Sequence, residues 1–160
     1  MIEICAPHTI PATNNPKIFL AGSIEMGTAT PWQAWVVDAL AGEGVTLLNP
    51  RRPDWDSSWV QSKDDANFRT QVEWELDALA QSDYIILYLD PETRSPISLL
   101  EMGLYAQSGK LFVVCPKGFW RKGNVDIVCE KYGFQQFPSL EHLVAHFHDI
   151  LSRATPHVAR

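Results

Sequence analysis

The stretch that decides the fold is Tyr84-Ile-Ile-Leu-Tyr-Leu89, followed by Asp90-Pro-Glu-Thr-Arg-Ser95 and then Pro96-Ile-Ser-Leu-Leu-Glu-Met-Gly-Leu-Tyr105. Its opening run is almost entirely apolar, which predicts a strand buried on both faces. Ser95 is a favourable N-cap and Pro96 a favourable first helical residue, so a helix is predicted from Ser95 to Ser108. A strand, a short polar loop and a helix form the repeating unit of a parallel sheet.

The same unit recurs along the whole chain. Strands are predicted at residues 17–21, 45–48, 84–89, 111–115 and 134–137, and helices at 31–43, 64–81, 95–108, 124–131 and 139–152. This alternation predicts an α/β fold, a flavodoxin-like doubly wound sheet of about five parallel strands with helices on both faces. We expect residues 1–160 to form a single domain, with residues 1–16 as an extended leader.

The net charge and composition of the chain disfavour some classes of binding partner. The formal net charge is −6 and the pI is near 5.3, which disfavours nucleic-acid polymers and anionic membranes as partners. No apolar run approaches the length of a membrane span, and the first residues lack the features of a secretion signal, so we expect a cytoplasmic protein. The three cysteines share no metal-type spacing, which favours reduced, structural thiols.

Two acids lie beside the apolar stripes of predicted helices. Ligands of doubly wound sheets bind beyond the carboxyl ends of the strands. Glu75 flanks one stripe and Glu101 flanks the next, so both carboxylates are expected near the edge of the sheet. The stripes themselves are predicted to face inward and consist of Phe68, Val72, Leu76 and Leu79 in the first helix and of Ile97, Leu100 and Leu104 in the second.

Two interpretations of these acids stay open on periodicity alone. Glu75 and Glu101 are either boundary residues whose head groups reach solvent, or a carboxylate pair in the ligand crevice. A crevice pair suits glycosyl chemistry, because an anion stabilises an oxocarbenium-like transition state and can attack as a nucleophile. Similarly, Asp54, Trp55 and Trp59 in the loop after the second strand either hold a flat, hydrogen-bonding ring or pack within the loop.

With these residues assembled, the sequence resembles the nucleoside 2-deoxyribosyltransferase superfamily, in its shorter, divergent "like" branch. The resemblance covers about Lys17 to Gly133 and depends on the order and spacing of several motifs. They are Phe19-Leu-Ala-Gly-Ser-Ile24, Asn49-Pro-Arg-Arg52, Gln71-Val-Glu-Trp-Glu-Leu76 with Ser82-Asp83, and Ser95-Pro-Ile-Ser-Leu-Leu-Glu-Met-Gly103.

The resemblance implies roles for particular residues. Glu101 matches the nucleophile that attacks the anomeric carbon, and Glu75 matches an acid that holds and protonates the nucleobase. Ser95 takes the position that handles the 5'-end of the sugar. Asn124 matches an asparagine that reaches into a neighbouring subunit's site, which implies a homo-oligomer built on a dimer, up to a tetramer or hexamer. The other substrate-binding candidates in or beside the motifs are Phe19, Gly22, Ser23, Arg51 and Asp54.

Departures from the family pattern concern the sugar. Phe19 and its neighbour replace a first-strand tyrosine. Ser95 replaces the aspartate of the bacterial transferases and matches the serine of related 5'-monophosphate N-glycosidases. Those glycosidases, however, carry an arginine where this chain has Glu25, and an acid there should repel a phosphate. We therefore favour an unphosphorylated nucleoside as the substrate.

The predicted function is base exchange between a deoxynucleoside and a free nucleobase through a covalent glycosyl-Glu101 intermediate, with retention at C1'. One alternative is an N-glycosidase that hydrolyses nucleosides or their 5'-monophosphates. A second alternative is a non-catalytic nucleotide-binding module. The expected partners are nucleosides, free bases and further copies of the chain, and the chemistry calls for no cofactor and no metal.

Overall fold

The computed structural model describes residues 1–25 and 29–154. From the second strand onward, strands and helices alternate. In chain order the elements are β1 (Ile2–Cys5), β2 (Lys17–Gly22), α1 (Trp32–Ala39), β3 (Thr46–Asn49), α2 (Ala66–Gln81), β4 (Tyr84–Tyr88), α3 (Pro96–Tyr105), β5 (Leu111–Val114), α4 (Lys122–Tyr132), β6 (Gln135–Phe137) and α5 (Leu140–Ala154). No helix in the described ranges is long and apolar enough to cross a membrane.

The sheet confirms the predicted fold class. Six parallel strands are arranged in the order β1-β3-β2-β4-β5-β6. The last five of these have the flavodoxin-like order, in which the chain reverses its direction of progress between the first and third strands of the motif. Here that point lies between β2 and β4, because β2 leads to α1 on one face and β4 leads to α3 on the other.

The strand count is six rather than five, since the predicted leader contains β1. This strand pairs in parallel with β3, with Ile2 opposite Thr46 and Cys5 opposite Asn49. Residues 2–5 are exposed or half-buried, and Glu3 interrupts the apolar residues. An edge strand of four residues needs only one neighbour and one partly buried face, so it lacks the continuous apolar run that marks the central strands.

Two apolar layers cover the sheet. Alternate residues of β2 point to opposite faces, with Phe19 in one layer and Ile18 in the other. The first layer contains side chains of α2, α3 and α4, including Trp74, Met102 and Val125. The second contains side chains of α1 and α5, including Trp32, Val36, Leu143 and Phe147. Burial on both faces is the reason that the central strands are continuously apolar.

The predicted inward stripe of α3 is wrong. Ile97, Leu100 and Leu104 are 60, 59 and 60 % exposed, whereas Ser98 and Met102 are buried. In α2, Leu76 is 47 % exposed, while Gln71, Trp74 and Ala78 join Leu79 on the buried side. Periodicity identifies an apolar face, but it does not say which surface that face contacts. Both helices include a polar side chain, Gln71 or Ser98, on the buried side and leave some apolar side chains exposed.

Gly22 permits the close approach of β2 and β4. It pairs with Tyr88 at the end of both strands and has a φ of 135°, a conformation that residues with a side chain rarely adopt. A Cβ atom on Gly22 would lie 2.2 Å from the carbonyl oxygen of Tyr88. The next residue, Ser23, donates its backbone N–H to the same carbonyl at 2.9 Å. A side chain at position 22 would therefore separate the strands where the ligand crevice begins.

We predict that Gly22→Ala lowers the free energy of unfolding by roughly 3 kcal/mol or more, because the new methyl group meets backbone and the φ is strained. Chemical denaturation measures this loss. Gly103→Ala is the matched control, since Gly103 lies within α3 with no atom within 4 Å of an added Cβ. There the helix gains up to about 1 kcal/mol from the better helix former. Equal stability of the Gly22→Ala variant and the wild type would contradict this account of the strand contact.

Candidate active site

A cluster of three hydroxyl groups lies just beyond the carboxyl ends of β2 and β4. Ser23 Oγ is 2.5 Å from Ser95 Oγ, and Thr93 Oγ1 is 2.9 Å from Ser23 Oγ and 2.7 Å from Ser95 Oγ. The backbone N–H of Asp90 also donates to Ser23 Oγ at 2.8 Å. All three hydroxyl residues are buried, with Ser95 only 2 % exposed. The cluster joins the loop after β2 to the loop after β4, beyond the carboxyl ends of the strands.

This placement corrects the prediction for the Ser95 side chain. Ser95 precedes the first residue of α3, as expected, but its hydroxyl makes no capping hydrogen bond to the helix and its φ is 48°. Its hydroxyl is used internally by Ser23 and Thr93. The Ser95 hydroxyl therefore joins the two loops and does not cap α3.

Asp90 lies in the segment after β4 and forms hydrogen bonds with the segment after β2. Its Oδ2 accepts hydrogen bonds from the backbone N–H of Thr30 at 3.1 Å and from the Thr30 hydroxyl at 3.0 Å, and its Oδ1 accepts from the Glu92 N–H at 3.0 Å. Burial acts to raise the pKa of Asp90, but these hydrogen bonds outweigh it and leave the pKa lowered. Asp90 is thus a structural carboxylate of the crevice, which the sequence pattern did not single out.

The Glu75 carboxyl accepts a hydrogen bond from a residue one turn earlier in α2. Gln71 is buried, and its Nε2 donates to Glu75 Oε1 at 2.8 Å and to the Pro50 carbonyl at 2.9 Å. Burial raises the pKa of the Glu75 carboxyl, while the hydrogen bond from Gln71 acts to lower it. Gln71 therefore positions Glu75 and links it to the loop after β3.

Glu101 approaches the same region from α3. Burial, together with the negative charge of Glu75, raises the pKa of Glu101 to about 8. Within residues 1–25 and 29–154, no group donates a hydrogen bond to its carboxyl. The pKa of Tyr105, one turn later, is raised by burial and by the charge of Glu101. Gln71 supports the ionised form of Glu75 only, and the negative charge of Glu75 in turn favours the protonated form of Glu101.

The loop after β3 is connected to Glu75 through Arg52. Arg52 binds both carboxylate oxygens of Asp54, at 2.9 and 2.8 Å, and its NH1 donates to Gln71 Oε1 at 3.5 Å. Its guanidinium lies 4.8 Å from the ring centroid of Trp59, whose ring is 5.0 Å from that of Trp55. The hydrogen bond from Arg52 and its charge lower the pKa of Asp54 to about 2. The two tryptophans thus pack on each other.

The remaining predicted site residues lie in different environments. Phe19 is fully buried and packs against Trp74, with ring centroids 6.4 Å apart, so its side chain belongs to the core and not to a ligand surface. Gly22 acts through the backbone contact described above. Asn124 is exposed in the first turn of α4.

Arg51 forms hydrogen bonds with the segment before α1 and with α1 itself. Its guanidinium donates to the Thr30 carbonyl at 3.2 Å, to Gln33 Oε1 at 3.3 Å and to the Ala29 carbonyl at 3.4 Å. These contacts fix the start of α1 rather than approach the two glutamates. The adjacent Arg52 is instead the one that reaches the network of Glu75, a distinction that two successive arginines in a loop do not reveal in sequence.

The sequence analysis did not predict four residues of the site, which are Arg52, Gln71, Asp90 and Thr93. Gln71 carried a usable signal, because it precedes Glu75 by four residues and so lies on the same side of the helix. Asp90 and Thr93 become neighbours of Ser23 only through the pairing of β2 with β4. Across the described ranges, no group of three or more metal-binding side chains comes together.

We predict that Glu101→Gln changes the pH dependence of stability. An unfolded chain releases this proton near pH 4.5, whereas the folded protein holds it to about pH 8. The wild type therefore loses stability as pH rises through this interval, and the neutral variant does not. The stability of the variant relative to wild type should grow by up to about 5 kcal/mol between pH 4.5 and 8, because each unit of pKa difference corresponds to about 1.4 kcal/mol.

Thermal unfolding across this pH range measures the difference. Glu73→Gln is the control, because Glu73 is exposed on α2 and paired with Arg69 at 2.6 Å. Its curve should stay parallel to that of the wild type. A Glu101→Gln curve that is also parallel to wild type would contradict the assigned protonation of Glu101.

Comparison with known proteins identifies the family of this chain. The model of the family described as "Nucleoside 2-deoxyribosyltransferase like" matches residues 15–119, well over half of the chain and including both glutamates but not Asn124. The fold is similar to the crystal structure of a conserved protein from Enterococcus faecalis V583, with a TM-score of 0.61 and 15 % identity over 86 % of this chain and 99 % of that one. No curated protein matches the sequence. The matched segment contains the strands, loops and helices that bring the two glutamates to the crevice, and the chain belongs to the nucleoside 2-deoxyribosyltransferase like family.

Proposed function

We propose that the protein is a nucleoside 2-deoxyribosyltransferase, which exchanges the base of a (2-deoxy)ribonucleoside through a covalent glycosyl-Glu101 intermediate. One observation carries this proposal. Two half-buried carboxyl groups, Glu75 and Glu101, interact in a chain that belongs to this family, and burial together with the charge of Glu75 raises the pKa of Glu101 to about 8. A pair with one proton contains both a nucleophile and an acid, which cleavage of an N-glycosidic bond needs.

The first step begins with a proton transfer within the pair. In the free protein Glu101 is the acid, so its proton must pass to Glu75 before Glu101 can attack. The Glu101 carboxylate then forms a bond to C1' while the C1'–N bond breaks, and the electron pair of that bond stays with the departing base. Glu75 then donates the proton that it received from Glu101 to the departing base, directly or through one water. The product of this step is a 2-deoxyribosyl ester on Glu101.

The second step reverses these roles. A nitrogen of the incoming base attacks C1', the ester bond breaks, and Glu101 leaves as a carboxylate. Glu75 accepts the proton that the incoming base loses. Each step inverts C1', so the two together retain its configuration. Water in place of the second base would give hydrolysis, which is the chemistry of the alternative N-glycosidase.

The base is proposed to bind beside the loop after β3. Gln71 and Arg52 connect this loop to Glu75, so movement of the loop on binding a base would be transmitted directly to the acid. The paired rings of Trp55 and Trp59 border the same loop. Asp54 is ion-paired to Arg52 and 67 % exposed, so we assign it to orienting Arg52.

We predict that the wild type forms a new nucleoside when incubated with a deoxynucleoside and a second free base. Glu101→Gln should lower this exchange at least about a thousandfold by removing the nucleophile, and Glu75→Gln about a hundredfold by removing the acid. Chromatography of the products measures the exchange, and the mass of the intact protein reports the sugar ester. Glu73→Gln is again the control, because it makes the same change on an exposed face of α2.

The outcomes separate the rival functions. Release of free base without a new nucleoside identifies the N-glycosidase. Saturable nucleotide binding with no product and no added mass identifies the non-catalytic nucleotide-binding module. Unchanged exchange in Glu101→Gln would reject the covalent mechanism.

We also propose that the protein assembles with further copies of itself through an α2–α3 apolar face, defined by Leu76, Ile97, Leu100 and Leu104. All four side chains are about half or more exposed, and both helices lie on the same side of the sheet. An exposed apolar surface of this kind is typical of an interface. Glu101 is on the same helix as three of these residues, so a second copy seated here would border the site.

The double substitution Leu100→Glu with Leu104→Glu should convert the oligomer to monomers, since buried charges oppose association. Sedimentation velocity measures the assembly state. Trp35→Glu is the control, because Trp35 is an exposed apolar residue of α1 in the opposite layer. A wild type that is monomeric throughout the concentration range, or an unchanged oligomer in the double variant, would contradict this interface.

A further inference from the structure

The side-chain amide of Gln71 lies between the loop after β3 and the Glu75 carboxyl. Gln71 is 4 % exposed, and its amide takes part in three hydrogen bonds. Its Nε2 donates to Glu75 Oε1 at 2.8 Å and to the Pro50 carbonyl at 2.9 Å, and its Oε1 accepts from Arg52 NH1 at 3.5 Å. An amide nitrogen has two hydrogens, so both are already used. Any change in the orientation of this amide would alter all three contacts.

The chemistry of the two loop partners fixes the orientation of the amide. A guanidinium only donates hydrogen bonds, and a backbone carbonyl oxygen only accepts them. The amide oxygen must therefore face Arg52, and the amide nitrogen must face Pro50. A reversed amide would place oxygen against the Pro50 carbonyl and nitrogen against the guanidinium, and neither pair could form a hydrogen bond. The loop thus decides that Glu75 faces a donor and not an acceptor.

Arg52 is itself fixed within this loop. Its side chain is 9 % exposed, and its guanidinium lies 4.8 Å from the ring centroid of Trp59. Its Nε and NH2 groups donate to the two carboxylate oxygens of Asp54, at 2.9 and 2.8 Å. This paired contact uses one edge of the planar group and leaves NH1 for Gln71. Lysine offers no second edge of this kind, because its ammonium group is a compact point charge.

The two glutamates differ in their hydrogen-bond donors. A hydrogen bond donated to a carboxyl stabilises its ionised form. Glu75 receives one from Gln71, whereas within residues 1–25 and 29–154 no group donates to the carboxyl of Glu101. When two interacting carboxyl groups share one proton, the proton favours the group that lacks a donor.

We propose that the loop after β3 decides which of the two glutamates carries the proton that they share. Pro50 and Arg52 act as positioning groups, because they hold the Gln71 amide with its nitrogen toward the acid. The inference rests on the proposed function for the task of the two acids. It defines a resting state, in which Glu75 is ionised and Glu101 is protonated and cannot attack. A base that binds beside the loop and draws Arg52 away would release the amide and let the proton pass to Glu75.

The test follows the titration of each glutamate by carbon-13 NMR of the side-chain carboxyl groups, with the signals assigned from Glu75→Gln and Glu101→Gln. In the wild type, most of the change in the Glu75 signal should occur in the step at lower pH, and most of the change in the Glu101 signal in the step at higher pH. The amplitudes in the first step give the ratio of the two singly protonated forms.

Gln71→Met removes the donor and keeps a side chain of similar length. The ratio of the form protonated on Glu101 to the form protonated on Glu75 should fall at least about tenfold, which corresponds to the loss of one hydrogen bond to a charged group. Part of the change in the Glu101 signal then moves to the first step. Gln81→Met is the matched control, because it makes the same change at the exposed end of α2. Both of its titrations should equal those of the wild type.

Arg52→Lys tests the loop itself and covers the case in which Gln71→Met fails to fold. The positive charge is kept, but the planar group that binds Asp54 and Gln71 together is lost. The same ratio should fall about threefold or more, because the amide is no longer fixed on that side. Arg69→Lys is its control, since Arg69 is exposed on α2 and paired with Glu73. That control should titrate as the wild type does.

Three results would overturn the inference. They are a wild type in which the Glu101 signal changes first, amplitudes that stay the same in Gln71→Met, and amplitudes that stay the same in Arg52→Lys, which would mean that only the charge of the loop matters. The titrations need no turnover, so they are independent of the reaction. The expected titrations without any base exchange would reject the transferase and keep the proton assignment, whereas base exchange with unaltered amplitudes in the variants would do the opposite.

Discussion

The pairing of β2 with β4 at their carboxyl ends is the contact on which the site depends. It continues to Gly22 opposite Tyr88, because the absence of a side chain lets the two backbones meet. Ser23 then falls beside Asp90, Thr93 and Ser95, although about seventy residues separate them along the chain. The hydroxyl cluster, the anchoring of Thr30 by Asp90 and the approach of Glu25 to α3 all follow from this single junction.

The orientation of α2 and α3 is the second determinant. Burial of a carboxylate is unfavourable, and an ordinary helix on a sheet would turn its apolar face inward. Here Gln71, Ser98 and the two glutamates lie toward the interior, and apolar residues such as Leu100 stay outside. The unfavourable burial of Glu101, together with the charge of Glu75, raises its pKa to about 8. The exposed apolar residues leave a surface suited to self-association.

The acids of the site are stabilised in different ways, and each way suits a different task. Backbone N–H groups and Thr30 stabilise the negative charge of Asp90, and its role is structural. Glu75 has one neutral donor, Gln71, and Glu101 has the charge of Glu75 against it. Glu25 is held by two N–H groups at the start of a helix. An acidic protein thus places four carboxylates around one crevice without a lysine or arginine bound directly to any of them, within the part of the chain described.

The sequence by itself determined the fold class, because continuous apolar strands alternating with helices can be buried in few other ways. Periodicity left two interpretations of Glu75 and Glu101 open, and the resemblance of their motifs to the family is what predicted their roles. Only the tertiary structure decided which helix face turns inward, that Phe19 lies in the core, that Arg52 rather than Arg51 reaches the network of Glu75, and that the Ser95 hydroxyl is used internally. Each of these depends on contacts between residues far apart in the chain. Local periodicity reports how a segment is patterned, but not which partner the folded chain brings to it.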